Sequence, residues 1–474
     1  MNKKFYVTAA IPYVNAKPHI GHALEFVQTD AIKRYHRLIG YDSKSLSGGD
    51  ENALKNVQAA DKENVEIQKF VDKNTESFKN LAIALNADFD FWQKGSDTKK
   101  HYPGVQEFWK RCKKDIFKKK YEGLYCVGCE TFYTPDELNE KGECFEHPGK
   151  ALQKVSEENY FFALSKYQKR LIELIKSDKL RIIPEFRKNE VLSFLKEPLQ
   201  DISVSRTNER AKNWGVPVPD DPSQRIYVWF DALNIYQTGI GFGWNKALWE
   251  KYWPADVHVI GKGIIRFHAV YWPAFLLSAR LPLPKSILIH GYLTVNGQKL
   301  SKSIGNVIDP IPLIEKYGSD AIRYYLLAKV SAFDDGDFSE EKLRTVYNAD
   351  LANGLGNLVS RVAKLCEKAG VGSLKQGKYT DKSIALNIEG YRFDQALWEL
   401  WHKISQIDQL LNKEAPWKIE DVKRLKQTIT PVAQSVLDIS HNLKPFLPEA
   451  AEKIEGQFTK TKIKSSQPIF PRIK

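Results

Sequence analysis

Two rhythms of apolar residues run along the chain. Lys4 to Ile11 is a short apolar and β-branched run closed by Pro12, and it predicts a buried strand. From His19 onward, Ile20, Leu24, Val27 and Ile32 recur at roughly helical spacing, so a strand, a loop and a helix open the chain. This is the start of a doubly wound sheet. A second strand is expected at Ser43 to Ser47, running into Gly48-Gly49-Asp50 and delivering a carboxylate at its C-terminal end. Strand signals return at Arg225 to Phe230, Val257 to Ile260 and Ile287 to Ile289, with helical stretches between them. The irregular residues from 115 to 224 therefore read as an insertion between two halves of one sheet.

After Ala321 the helical period persists. Leu351, Leu355, Leu358, Val362 and Leu365 step by 4, 3, 4 and 3, one face of a helix, and similar patterns follow near 391–411 and 421–441. The expected fold class is α/β, a Rossmann-type doubly wound parallel sheet split by the insertion and followed by an all-α bundle. The expected boundaries are 1–114 and 225–295 for the sheet halves, 115–224 for the insertion, 296–345 for a linker region and 346–474 for the bundle. There is no internal repeat.

Composition narrows the function classes. Charged residues make up 27% and hydrophobic ones 42%, which marks a folded chain and excludes disorder as the main state. No apolar run approaches the ~18 residues of a membrane span, and the N-terminus lacks a signal pattern, so the expectation is a cytoplasmic protein with no membrane partner. Lys+Arg number 71 against 58 Asp+Glu, a net charge of +13, and residues 351–474 alone hold 20 against 13. A polyanion is the partner such a surface suits.

The cysteines add a metal. Five is an odd number in an unsignalled chain, which argues against a disulfide framework. Cys126-x2-Cys129-x14-Cys144-x2-His147 is two pairs of soft ligands at a separation that closes a tetrahedral Zn²⁺ site. Four protein ligands leave no open position for a catalytic water, so one structural zinc is expected. Cys112 and Cys366 have no such partners in sequence.

Two further motifs carry chemistry. Pro18-His19-Ile20-Gly21-His22 stands where the first strand hands over to the first helix. His19 and His22 share a helix face, Gly21 lets a flat ring approach the backbone, and a helix N-terminus offers partial positive charge and N–H donors to an anion. Taken alone, the motif fits two polar surface histidines equally well. Lys299-Leu300-Ser301-Lys302-Ser303, after the turn Asn296-Gly297-Gln298, places two ammonium groups on a loop of small residues. Both lysines are suited to a pyrophosphate on which charge builds up.

Together, on opposite halves of an interrupted sheet, these segments resemble the paired signatures of class I aminoacyl-tRNA synthetases. The likeness is to the methionine branch and extends from Tyr6 almost to Phe470-Pro471-Arg472. Ile11-Pro12-Tyr13-Val14-Asn15 looks like that family's loop before the first signature, Tyr227-Val228-Trp229-Phe230-Asp231-Ala232-Leu233 like its amino-acid pocket strand, and Arg266-Phe267-His268-Ala269-Val270-Tyr271-Trp272-Pro273 like the helix that closes that pocket. The resemblance implies a methionine–tRNA ligase in which Ile11, Tyr13, Trp229, Ala232, Leu233, Tyr236 and His268 enclose the methionine side chain and Asp50 takes its ammonium group. It implies ATP bound by Asn15, His19, Gly21, His22, Lys299, Ser301 and Lys302, with His19, His22, Lys299 and Lys302 as the catalytic groups and Mg²⁺ accompanying the nucleotide. In the bundle it implies Asn357, Arg361 and Trp417 as readers of the anticodon of initiator and elongator tRNA(Met). An edge donor, a guanidinium and an aromatic face suit unstacked bases. The chain is expected to lack the extra C-terminal tRNA-binding and dimerising module that some relatives carry, so a monomer is expected.

Three positions depart from the family pattern. Asn52-Ala53 stands where a His-Gly pair is usual, Gly263 where an aspartate follows Gly-Lys, and Leu300 where the lysine signature has methionine. Methionine occurs once, at Met1, and Leu300, Phe275 and Leu447 fall in segments where the family often has it. Such a chain draws little on the amino acid it is expected to activate. Two alternatives stay open from the sequence: another class I synthetase, of the cysteine type, and a catalytically silent RNA-binding homologue.

Overall fold

The computed structural model of the chain describes residues 3–129, 131–133, 137–300, 305–377 and 381–473. At its centre is a six-stranded parallel sheet. β1 (Lys4–Ala9), β2 (Asp42–Gly49) and β3 (Phe91–Lys94) fan out to one side, and Val257–Gly261, Ser286–His290 and Arg181–Ile183 to the other. The two halves meet where β1 pairs with Val257–Gly261, in the register Val7↔Val257, Thr8↔His258 and Ala9↔Val259. That seam is a topological switch point, where open α/β sheets place their ligands outside the strand C-termini. β1 is buried from Phe5 to Ala9 because elements cover both faces of the sheet, which is why it reads as a continuous apolar run.

Two sequence expectations are corrected. Arg181–Ile183 lies within the stretch assigned to the insertion but pairs with Ser286–Leu288 as an edge strand of the central sheet. Three residues are too short to carry a period, and the partner strand supplies the pairing. Arg225 to Phe230 is not one strand. Asp221–Ile226 belongs to a small antiparallel sheet, and Val228–Ala232 turns into a short helix, with the N–H groups of Phe230 and Asp231 both donating to Tyr227 O at 3.0 Å. All five helical residues are buried, so no polar face marks the helix in the sequence.

The insertion is built on a long antiparallel pair, Ile116–Cys126 with Gln153–Phe162; Cys126 ends the first strand, and Cys129, Cys144 and His147 lie between the two in the chain. Beyond the central sheet, Leu293–Val295 pairs antiparallel with Gln298–Lys299 and parallel with Gly336–Phe338. This ties the segment entering the lysine motif to the linker region.

The C-terminal helices include Asn357–Lys368, Phe393–Glu414, Val422–Leu443 and Pro448–Phe458. They are not a separate body. One hydrophobic core runs from Val7 and Ile20 through Tyr325 to Leu437. Inside it, the fully buried Arg323 pairs with Asp30 of α1 (Ile20–Leu38) at 2.8 Å and donates to Phe446 O at 2.7 Å and Pro445 O at 3.0 Å. A buried guanidinium is tolerable when its donors are satisfied in this way. No helix among the described residues is long and apolar enough to cross a membrane.

Candidate active site

α1 begins at the C-terminal end of β1, and its first turn is closed by two imidazoles. His19 is the N-cap, extended at φ −135° and ψ 174°, and its Nδ1 accepts the Gly21 N–H at 3.1 Å. His22 Nδ1 accepts the His19 N–H, also at 3.1 Å. Two of the orphan amide donors at the helix start are thereby used internally. This modifies the sequence expectation: what the turn offers an anion there is the outer edges of the rings. With Nδ1 accepting from the backbone, a neutral imidazole carries its proton on Nε2 and becomes a donor. Burial, and then the neighbouring His19, push the His22 pKa well below the usual histidine value, so this ring is neutral at physiological pH. The rings lie 3.9 Å apart, and Phe78 packs its edge on His22 at 4.9 Å. Asn15 is half-buried in the loop just before this turn.

The lysine motif comes to the same turn. A Cβ built on Gly21 would lie 3.8 Å from Leu300 Cδ1, and 2.9 Å from the imidazole carbon Cε1 of His19. Downstream of the motif, Ile308 O accepts the Ile20 N–H at 3.1 Å. Both ends of the loop are thus held at the start of α1. The side chain of Lys299 and all of Ser301, Lys302, Ser303 and Ile304 lie outside the described residues.

Beside the switch point sits a group of packed aromatic residues. Tyr13 meets Trp229 edge to face at 6.0 Å, and Phe267 stacks flat on Trp229 with centroids 3.6 Å apart and planes within 3°. Trp229, Ala232, Leu233, Tyr236 and His268 are buried, while Ile11 and Tyr13 are half-buried. The Tyr236 hydroxyl lies 2.7 Å from His268 Nε2, and His268 Nδ1 lies 2.9 Å from Ile264 O. A ring whose Nδ1 faces a carbonyl carries its proton there, so Nε2 accepts from the Tyr236 hydroxyl. Burial lowers the His268 pKa to about 4, consistent with that neutral tautomer. Sequence reasoning missed Phe267, although it adjoins His268 in a quoted segment. Its stacking partner is remote in the chain, and nothing local signals the contact.

Asp50 adjoins Tyr13, one of these aromatic residues. It is buried, bridges to Tyr13 in parallel register, and is fixed through its backbone: its N–H donates to Pro12 O at 2.9 Å, and Asn56 Nδ2 donates to its O at 2.8 Å. The next residue has another task. Glu51 accepts from the Thr75 hydroxyl at 2.5 Å and the Ser96 N–H at 2.9 Å. It is an internal brace.

The four soft ligands converge. The donor atoms of Cys126, Cys129, Cys144 and His147 lie within 4.8 Å of one another. Cys129 Sγ is 3.3 Å from Cys144 Sγ and 3.2 Å from His147 Nδ1. Donors bound tetrahedrally to a zinc-sized ion stand about 3.5–3.8 Å apart, so the set fits with small adjustment. The cluster adjoins the pocket, because Trp229 Nε1 donates to Cys129 O at 3.2 Å.

In the bundle, the Arg361 guanidinium lies 5.2 Å over the Trp417 ring. It also pairs with Asp408 and donates to Asn412 Oδ1 at 2.9 Å. Trp417 is 45% exposed, a large aromatic face left to solvent. Asn357 is exposed one turn before Arg361 on the same helix.

Two departures acquire local explanations. Asn52 is hydrogen-bonded through its amide to Gly95 O and Asp231 Oδ2, both at 2.7 Å. At Gly263 a Cβ would meet the Tyr292 hydroxyl at 2.0 Å, so that hydroxyl fills the space a side chain would need. It donates to Glu146 Oε2 at 3.2 Å, beside the metal cluster.

Comparison with known proteins identifies the family. The family model described as tRNA synthetases class I (M) matches residues 5–151 and 148–363. A methionine–tRNA ligase of Thermotoga maritima is 40% identical over 473 residues, covering 95% of this chain and 74% of that protein. One from Rhizobium meliloti is 41% identical, covering 95% and 90%. Among solved structures, Mycobacterium tuberculosis methionyl-tRNA synthetase in complex with methionyl-adenylate superposes with a TM-score of 0.91 at 36% identity, over 99% of this chain and 100% of that one. The chain belongs to the class I aminoacyl-tRNA synthetases, within their methionyl-tRNA synthetase family.

Proposed function

We propose that this chain activates L-methionine with ATP and loads it onto tRNA(Met). Methionine's carboxylate attacks the α-phosphorus of ATP, the bond to the bridging oxygen breaks, and pyrophosphate leaves. A ribose hydroxyl at the 3′ end of the tRNA then attacks the acyl carbon of the adenylate and releases AMP. No group need act as a proton-transfer base in the first step, so catalysis is positioning and electrostatics.

The residues divide the work. The Nε2–H edges of His19 and His22 hold phosphate oxygens, with Asn15 and Gly21 lining the approach. Lys299, Ser301 and Lys302 neutralise the leaving pyrophosphate, and Mg²⁺ accompanies the nucleotide to share that charge. Asp50 takes the ammonium group of methionine. Ile11, Tyr13, Trp229, Ala232, Leu233, Tyr236 and His268 enclose a flexible, polarizable thioether that aromatic rings hold well. Cys126, Cys129, Cys144 and His147 hold one structural Zn²⁺, which keeps the insertion folded against Trp229. Asn357, Arg361 and Trp417 read the anticodon, the last by stacking.

The observation that carries this reading is the approach of Leu300, inside the lysine motif, to Gly21, inside the histidine motif. A silent RNA-binding homologue has no need of that meeting. The test is ATP–pyrophosphate exchange with methionine against cysteine and leucine: methionine alone supports exchange if the reading holds. Exchange driven by cysteine, or none with any amino acid, contradicts it.

A further inference from the structure

Between the residue assigned to methionine's ammonium group and the ring assigned to its side chain lies a buried chain of hydrogen bonds to which no function has yet been given. Asn52 follows Asp50 by two residues at the end of β2, and Asp231 follows Trp229 by two in the short helix Val228–Ala232. The Asn52 amide uses both of its donors, one on Gly95 O at the end of β3 and one on Asp231 Oδ2, each at 2.7 Å. Its Oδ1 accepts from the Tyr102 hydroxyl at 3.4 Å. The other carboxylate oxygen of Asp231 lies 2.5 Å from His101 Nε2, and His101 Nδ1 lies 2.7 Å from the Thr238 hydroxyl. Asn52, Asp231, His101 and Thr238 are all at least nine-tenths buried. The chain therefore joins two strand ends, the start of the helix His101–Cys112, and the short helices Val228–Ala232 and Ile235–Thr238, which carry Trp229 and Tyr236.

Water does not reach these groups, so the interaction is directional and strong for its size, and loss of one partner leaves a buried carboxylate oxygen without a donor. The substitution at position 52 is compatible with this role. An asparagine amide reaches an acceptor much as the near N–H of an imidazole does, so it can replace the family's usual histidine as a donor to Asp231 while carrying no titratable proton.

We propose that Asn52, Asp231 and His101 are positioning residues for the amino acid: the Asn52–Asp231 hydrogen bond fixes the span between the Asp50 carboxylate and the Trp229 ring. None touches substrate. The bond sets how far apart the two ends of the methionine site stand, and so acts on methionine and not on ATP. This rests on the assignment of Asp50 and Trp229 made above.

Steady-state pyrophosphate exchange tests it on the full chain, with methionine and ATP varied separately and thermal midpoints recorded. Asn52→Ala raises the methionine KM about tenfold or more while the ATP KM stays within about twofold, and Asn52→His, which restores a donor, holds the methionine KM within about threefold of the parent. If Asn52→Ala does not fold, Asn52→Ser, whose hydroxyl is too short to span to Asp231, is read in its place with the same expectation. An unchanged methionine KM overturns the proposal. So does a parallel rise in both KM values with a lowered midpoint, which marks a merely structural residue. Asp50→Asn, measured alongside, separates the two levels: if it leaves methionine KM unchanged, the pocket assignment itself fails, whereas its loss of methionine binding beside a normal Asn52→Ala sinks the positioning role alone.

Discussion

Leu300 approaches Gly21: a methyl group added to that glycine would stand 3.8 Å from the leucine's Cδ1. Some 280 residues of chain separate them, and each is embedded in a motif that is weak alone. Gly21→Ala is the direct probe of this turn. The new Cβ would lie 2.9 Å from His19 Cε1 and 3.0 Å from Nδ1, so the N-cap ring must move. The expected outcome is a rise in ATP KM of about tenfold with methionine binding little changed, measured by pyrophosphate exchange and by methionine titration.

Lys302→Ala should separate chemistry from binding. On the proposed role, in which Lys302 contacts the bound triphosphate and meets more charge on it as pyrophosphate departs, removing its ammonium group lowers the exchange kcat by about 10²–10³-fold and leaves methionine affinity within about threefold. Equal losses in both would contradict the role.

Much of this site was legible in the sequence, but unevenly. β1 and α1 were readable because one is a continuous apolar run and the other keeps a 3.6-residue period to Ile32. The Cys126 to His147 spacing needed no tertiary knowledge at all. Trp229 reads as a strand residue because a helix buried on every side has no polar stripe to reveal its period. Arg181–Ile183 escaped because its strand character comes from Ser286–Leu288, not from its own three side chains. Phe267 and the Asn52–Asp231 bond are contacts between distant segments, which a single sequence does not encode locally.

The Cys126–His147 ligand set and the proposed methionine pocket are joined by the hydrogen bond from Trp229 Nε1 to Cys129 O. Stripping the metal with a chelator, or Cys144→Ser, should therefore loosen the pocket as well as the insertion. Methionine KM is expected to rise about tenfold or more, with one equivalent of zinc released per chain when assayed by a colorimetric indicator. Metal loss with unaltered methionine binding would show the cluster to be independent of the pocket.

Burial of His268 makes stability pH-dependent in a defined direction. Its folded pKa, near 4, lies below the ordinary value of about 6.5, so the unfolded chain binds the proton more readily. The contribution is fully present above about pH 6.5 and is lost as pH falls toward about 4. Between about pH 7.5 and about pH 5 it amounts to about 2 kcal/mol. Urea midpoints across that range should fall, and His268→Gln should flatten part of the slope. The buried His258 shifts in the same direction and retains its own share.

Trp417 is 45% exposed under the Arg361 guanidinium. Trp417→Ala is expected to lower kcat/KM for tRNA charging by about 10–100-fold, the cost of about one stacked base, while pyrophosphate exchange stays near the parental rate. Loss of both activities would mean that the ring serves packing.

The most direct measurement is a crystal structure of the chain with methionine and a non-hydrolysable ATP analogue. One triphosphate should touch His22 Nε2 on one side and Lys302 Nζ on the other, with the methionine ammonium group on Asp50. Lys302 turned away from the nucleotide, or a nucleotide seated away from the start of α1, would contradict the account.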